Sequence, residues 1–267
     1  MTEIDTLDSK SGARPIQVAR LTSLMKLLGE RGHCSVAELA VHFDVSEETI
    51  RRDIRQLERT GRVQKTHGGV SIPSSELEAP YRIRLREQSD AKQRIAQHAA
   101  RMVTEGMTLL LDSGTTCLWL ARALAGFRDL TIITNSMEVA HEVLGRPGQR
   151  LFVAGGPIKP DYHAAFGPEA IAFCRRFVPD ITILSMGAID AACGFLDFDS
   201  DEATFKRAIL DRSRRVVVLA DSTKFTKPGF IQVADFAEVK ALYTDAQPPT
   251  AIREAAQASG MTVEVAD

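Results

Sequence analysis

From residue 108 to residue 243 the chain repeats one pattern: a short, mainly apolar run, a polar turn, then a stretch with helical spacing. The runs are Thr108–Leu111, Leu130–Ile133, Leu151–Ala154, Ile181–Leu184, Val216–Ala220 and Val239–Tyr243. Most are apolar at successive rather than alternate positions, so both faces of each need cover. Helical stretches of about ten residues separate most of them, as in a βαβ succession. The pattern predicts an α/β fold with a mostly parallel sheet and helices on both faces. A helix over about Ala91–Glu105 leads into it.

The chain has 267 residues, which at about 150 per domain suggests two domains. The N-terminal part reads differently from the rest. Residues 1–14 are a polar lead-in expected to be disordered. After Pro15 the residues Ile16, Ala19, Leu21, Leu24, Leu27 and Leu28 recur at helical spacing until Gly29 and Gly32. Ser35-Val36-Ala37-Glu38 is a capping box, predicting a short second helix with Leu39, Ala40 and Phe43 inward. After the turn at Asp44-Val45, Ser46 caps a third helix running to about Thr60 and closed by Gly61. Residues 62–72 flank Gly68-Gly69 and read as a hairpin. Three short helices and a hairpin predict a winged helix-turn-helix over 15–72. Pro73 to Pro80 has linker composition, so 73–90 is expected as linker and 91–267 as the α/β domain.

Ile50, Ile54 and Leu57 put one face of the third helix inward, leaving Glu48, Arg51, Arg52, Arg55 and Arg59 on or near the other. This local positive stripe is hidden by the overall net charge of −2. A solvated face pairing with Glu47, Glu48 and Glu58 is the alternative. Composition is ordinary for a globular protein, 44% apolar and 25% charged. No apolar run approaches the roughly 18 residues of a membrane helix, and the acidic start lacks the apolar core of a secretory signal. Cys34, Cys117, Cys174 and Cys193 form no C-x-x-C, and no His/Cys spacing suggests a metal. Free thiols fit a cytoplasmic setting. G-x-G-x-x-G, the P-loop, H-E-x-x-H and G-x-S-x-G are all missing, so no cofactor is expected.

In a parallel sheet, ligands gather beyond the carboxyl ends of the strands. Those ends carry Asp112-Ser113-Gly114-Thr115-Thr116, Thr134-Asn135-Ser136, Gly155-Gly156, Ser185 to Asp190, and Asp221-Ser222-Thr223-Lys224-Phe225. Asp112 to Thr116 carries the most information: a strand end, a glycine turn and two threonines opening a helix make an anion site suited to phosphate. Lys224 would balance the charge, and Asp112 and Asp190 suit sugar hydroxyls. Simple turn and capping chemistry is the alternative. Cys117 and Trp119 are expected in the core, and His33, His42, His98 and His141 at surfaces or caps.

The run from Val45 to Ile54 (V-S-E-E-T-I-R-R-D-I), with Leu57-Glu58, Gly61 and His67-Gly68-Gly69, resembles the DNA-binding domain of the DeoR/GlpR family of bacterial transcription regulators. The second domain is similar in order to the family's sensor: Lys92, Asp112 to Thr116, Thr134 to Ser136, Gly155-Gly156, Gly167, Asp180, Asp190, Glu202 with Lys206-Arg207, and Asp221 to Phe225. Leu196 to Asp199, Lys206 to Ile209, Tyr243 to Ala246 and Pro248-Pro249 look most like the subgroup repressing glycerol-3-phosphate regulons. Ala188 departs from it, standing where glycine is expected, and would narrow a pocket.

The resemblance implies a repressor, not an enzyme, with a sensor fold related to ribose-5-phosphate isomerase. Its partners would be double-stranded operator DNA, a phosphorylated sugar or polyol (glycerol 3-phosphate first) and further copies of itself, as a dimer or tetramer. Ser46, Glu48, Thr49 and Arg52 are expected at bases or the adjacent phosphates; Arg51, Arg55, Arg59 and Lys65 at phosphates; Ser35 and His67 are DNA-binding candidates as well. The effector set is Asp112, Ser113, Gly114, Thr115, Thr116, Asn135, Ser136, Gly155, Gly156, Asp190, Glu202, Lys206 and Lys224. The alternatives are a regulator answering another sugar phosphate, one whose pocket is vestigial, and a sugar-phosphate isomerase with a DNA-binding head. In the isomerase, Asp112, Asp190 or Glu202 would serve as base.

Overall fold

The computed structural model describes residues 20–21, 23–25, 27–28, 31, 33–59, 63–66, 69–71 and 78–267. The chain divides into two compact units, Met1–Leu77 and Glu78–Asp267. In the first, residues 20, 21, 23–25, 27, 28 and 31 are helical. Then come β1 (His33–Ser35), α1 (Val36–Phe43), α2 (Glu47–Arg59), β2 (Gln64–Thr66) and β3 (Gly69–Ser71). The capping box is formed: Ser35 Oγ accepts the Glu38 amide at 3.1 Å, and the Ser35 amide donates to Glu38 Oε2 at 2.8 Å. Asp44 ends α1 in the left-handed region, φ 51°, and Ser46 Oγ accepts the Thr49 amide to start α2. Leu24, Leu28, Leu39, Ile50, Ile54, Leu57, Val63 and Val70 form the core. Beyond the expected hairpin, β1 joins β3 antiparallel, giving a three-stranded wing in the order β1-β3-β2. A Cβ on Gly69 would lie 2.4 Å from the Cys34 carbonyl oxygen, so that approach needs glycine. The expectations for residues 1–14, Gly61, His67 and Gly68 lie outside the described residues.

The second unit opens with α3 (Tyr81–Arg86) and α4 (Ser89–Ala100). Residues 78–90, expected as linker, thus belong to this unit; Tyr81 and Arg84 are buried, which composition alone did not signal. There follow β4 (Thr108–Leu111), α5 (Thr115–Ala123), β5 (Thr131–Thr134), α6 (Met137–Val143), β6 (Arg150–Val153), β7 (Ile158–Lys159), β8 (Ala164–Ala165) and α7 (Pro168–Cys174). Then come β9 (Ile181–Ser185), β10 (Ala188–Asp190), β11 (Gly194–Asp197), α8 (Ser200–Ile209), β12 (Val216–Leu219), β13 (Ile231–Ala234), β14 (Ala241–Thr244), α9 (Thr250–Ser259) and β15 (Thr262–Val265).

Seven strands form one sheet in the order β15-β14-β12-β9-β4-β5-β6, every pair parallel. Leu109, Leu111, Ile132, Ile183 and Val217 point into one apolar layer, and Leu110, Ile133, Leu184 and Val218 into the other. This is why the runs are apolar at consecutive positions. β15 escaped the sequence reading because Thr262-Val263-Glu264-Val265 alternates, as suits an edge. The small antiparallel sheet β10-β11-β13 was also not expected. The chain runs outward from β4 to β5 and β6, then returns to β9 on the other side of β4. The strand order therefore reverses between β4 and β9, and a crevice opens there at the carboxyl ends. No helix among the described residues is long and apolar enough to cross a membrane.

Candidate functional site

On the first unit, α2 carries the positive stripe, and acids thread through it. Arg51 Nη2 donates to Glu47 at 2.6 Å, Arg55 Nη2 to Glu48 at 2.5 Å, and Lys65 on the wing to Glu58 at 2.5 Å. These exposed pairs are the ones the solvated-face alternative named, and each contributes little to stability. They also hold the guanidinium groups in place along the helix. Arg52 is exposed and makes no ion pair with a described residue. Ser35, Arg51, Arg55 and Lys65 line one groove between the start of α1, α2 and the wing. Ser46 and Thr49 instead share a hydrogen bond at the α2 start, 3.0 Å. The side chain of Arg59 lies outside the described residues. Asp53, fully buried on the inner side of α2, accepts from Arg20 Nε at 2.6 Å. The sequence reading missed this pair.

On the second unit, the crevice between β4 and β9 holds a cavity lined by residues from every neighbouring loop. Gly114, Thr115 and Thr116 follow β4; Ser185 ends β9, with Met186 and Gly187 after it; Asp221, Thr223 and Lys224 follow β12. Gly114 is required by crowding, since a Cβ there would lie 2.2 Å from the Ser185 side chain. Gly114 caps α5 with no side-chain hydrogen bond, so the cap satisfies none of the first amides of that helix. Buried Asp112 shapes this loop by accepting the Gly114 amide at 2.8 Å and the Ser185 amide at 2.9 Å. It lies beneath the cavity rather than lining it, which corrects its expected role at a hydroxyl.

Lys206, on α8, is buried among carboxylates. It lies 2.9 Å from Asp197, 2.8 Å from Glu202 and 3.4 Å from Asp112, and donates to the Ser185 carbonyl at 2.6 Å. An ammonium has three protons, and the three shortest of these contacts use them. Lys206 is thus a strut of the site. Burial alone would lower its pKa, but the surrounding carboxylates hold it well above the ordinary lysine value. Burial raises Asp197 above the carboxylate range and Glu202 to about 8. Glu202 Oε2 has no hydrogen-bond partner.

The free cations are elsewhere on the wall. Burial lowers Lys92 to about 8. Burial, with Lys227 next in weight, lowers Lys224. Asp221 lies near enough to offset part of this for both, but neither makes an ion pair with a described carboxylate. Glu78, Arg84, Glu87 and Gln88, from the stretch expected as linker, complete the wall. Of these the sequence reading named none; Tyr81 and Leu85, four apart and inward, are the signal that would have exposed the helix carrying them. The remaining space is about 30 Å³, whereas small-molecule sites start at roughly 300 Å³.

Several expected effector residues lie elsewhere. Asn135 and Ser136 follow β5, and Gly155 and Gly156 follow β6, all on the far side of β4 from the crevice. Asn135 Nδ2 donates to the Ala165 carbonyl, and Ser136 Oγ accepts the Val139 amide at the start of α6. Asp190 sits at the β10–β11 turn, accepting the Ala192 and Cys193 amides. Ser113 is buried but does not line the cavity. Ala188 is fully buried in β10 and does not narrow the pocket; its neighbour Gly187 lines it. Cys117 is buried, and burial raises its thiol far above the ordinary value, so it is an inert core residue. Trp119 is half-buried with Arg122 stacked 4.9 Å from its ring. Among the described residues no His, Cys, Asp and Glu cluster is arranged to hold a metal.

Residues 20–76 match the DeoR-like helix-turn-helix domain, and residues 87–246 match the DeoR C terminal sensor domain. The chain belongs to the DeoR family. It is similar to the glycerol-3-phosphate regulon repressor of Escherichia coli K12, with 34% identity across 89% of this chain and 94% of that protein. It is also similar to the HTH-type transcriptional repressor CsqR of the same organism, with 34% identity across 91% and 94%. A ribose 5-phosphate isomerase from Methanocaldococcus jannaschii is a structural neighbour at 17% identity and TM-score 0.39, covering 53% of this chain and 56% of that one. As a DeoR-family protein whose relatives are named repressors, the chain is a transcription regulator and not an isomerase.

Proposed function

We propose that this DeoR-family protein represses a carbohydrate or glycerol catabolic operon in the cytoplasm and leaves its operator when a phosphorylated sugar or polyol fills the cavity. Glycerol 3-phosphate is the first candidate, supported by the glycerol-3-phosphate regulon repressors among its relatives. The carrying observation is the chemistry of one wall. The uncapped α5 N-terminus and under-neutralised Lys92 and Lys224 suit a phosphate, while the unpartnered carboxyl oxygen of Glu202 suits a hydroxyl. In the first unit α2 would enter the major groove. Arg52 and Glu48 would face base edges; Arg51, Arg55 and Lys65 would exchange their acidic partners for phosphates. Ser46 and Thr49 would act there through the helix start they build. Two such heads on repeated half-sites would bind as a homo-oligomer.

The test is a fluorescence-anisotropy titration of the full chain on DNA from upstream of its own gene. Millimolar glycerol 3-phosphate, ribose 5-phosphate and fructose phosphates are added in turn. Release by glycerol 3-phosphate alone supports the whole reading; tight binding that no phosphate ester weakens refutes the effector half. Lys224→Ala should keep operator affinity and lose release, and normal release in that variant removes Lys224 from the site.

A further inference from the structure

Arg84 and Glu78 form a buried ion pair in the cavity wall, with side chains 9% and 6% exposed. The pairing is a single contact, Nη1 to Oε1 at 2.9 Å. Glu78 Oε2 is buried with no partner at all. A buried arginine–carboxylate pair offsets its desolvation best when bidentate and fully hydrogen-bonded, and this one is neither. The two members are also held unequally. Arg84 Nε donates to the Ala79 carbonyl at 2.8 Å, and the guanidinium lies 5.7 Å from the Tyr81 ring and 5.2 Å from the Tyr162 ring. Lys92 Nζ donates to the Arg84 carbonyl. Glu78 precedes α3 and is the first residue of the second unit, next in sequence to the segment arriving from the DNA-binding unit. The cation is fixed, and the anion sits at the point where the two units are joined in sequence.

The enclosed space is about 30 Å³, so a phosphate ester seated deep beside Arg84 has to displace part of the wall. We propose that Arg84 is an anion ligand of the effector, that the Glu78 carboxylate holds its place in the free protein, and that the incoming phosphate expels Glu78 and so acts on the chain leading to the DNA-binding unit. This rests on the reading of the cavity as a phosphate site. It identifies the stretch before α4 as both part of the site and the output of the site. The ligand's binding energy is spent partly on displacing Glu78, so removing that carboxylate's charge raises apparent affinity.

The test measures binding of inorganic phosphate, glycerol 3-phosphate and ribose 5-phosphate to the full chain by calorimetry. Glu78→Gln should bind the preferred phosphate compound about tenfold more tightly than the wild type, and Arg84→Lys should bind it more weakly. Equal or weaker binding by Glu78→Gln, with the wild type binding normally, overturns the displacement and leaves the phosphate reading standing. Failure of the wild type to bind any of the three overturns both. Hydrogen exchange on the wild type gives a reading that does not depend on a variant's folding. Saturating ligand should speed exchange at residues 78–86 while slowing it at residues 114–118; slowed exchange in both segments overturns the proposal.

Discussion

Glu202 shows what burial does to a single side chain. Its carboxyl titrates at about 8 because the apolar interior disfavours its charge more than Lys206 favours it. In the unfolded chain the same group titrates near about 4.3. A folded pKa raised this way gives stability below the unfolded value and takes it away as pH rises through about 8. Glu202→Gln keeps the shape and the acceptor but cannot ionise. Thermal melts should place it well above the wild type at pH 8, by roughly 10 °C, and level with it at pH 4.5. Equal curves at both pH values would mean that Glu202 is ionised in the folded protein.

At the scale of the element, α2 has an inner and an outer task, and neighbouring residues divide them. Asp53 faces inward and anchors the first helical stretch through Arg20. Asp53→Ala removes the charged hydrogen bond to that arginine, which costs about 2 kcal/mol. Urea denaturation of the full chain should show the loss in the transition of the DNA-binding unit alone. Arg52, next to it, faces outward. Arg52→Ala should leave that transition unmoved, cost about 1–3 kcal/mol of operator affinity and flatten sequence preference. Anisotropy with operator and scrambled DNA separates the two effects. The strand-end loops divide in the same way: those after β4, β9 and β12 meet at the crevice, while those after β5 and β6 cap helices and close turns.

At the scale of the whole molecule, the proposed release would be a linkage between a titrating cavity and a DNA-binding unit. Lys92 titrates at about 8 without a ligand because it is buried. A bound phosphate would raise it, so binding above that pH must take up a proton. Effector affinity should therefore fall as pH rises past 8, and also fall below about pH 6 as the phosphate ester gains its own proton. Operator release measured across pH 5.5–9 should be most sensitive between those limits. A flat profile above pH 8 would exclude Lys92 from the phosphate's surroundings.

Local spacing is enough to read the elements and the class of fold. Periodicity and capping are local, so Ser35 with Glu38, Ser46, the α2 stripe and the parallel runs could all be read from spacing. The Asp112 to Thr116 loop could also be read, because a strand end, a glycine and two threonines are contiguous. Which polar residues share a cavity depends instead on long-range packing. Strand order is not written in spacing: it reverses beside β4, which brings the β9 and β12 loops to Gly114 and sends Asn135 and Gly155 away. The partners of a buried charge are equally non-local. Lys206 is used up by Asp197 and the Ser185 carbonyl as well as by Glu202 on its own helix, and Glu78 and Arg84 join the site because burial of Tyr81 folds a stretch of linker composition into the sensor wall.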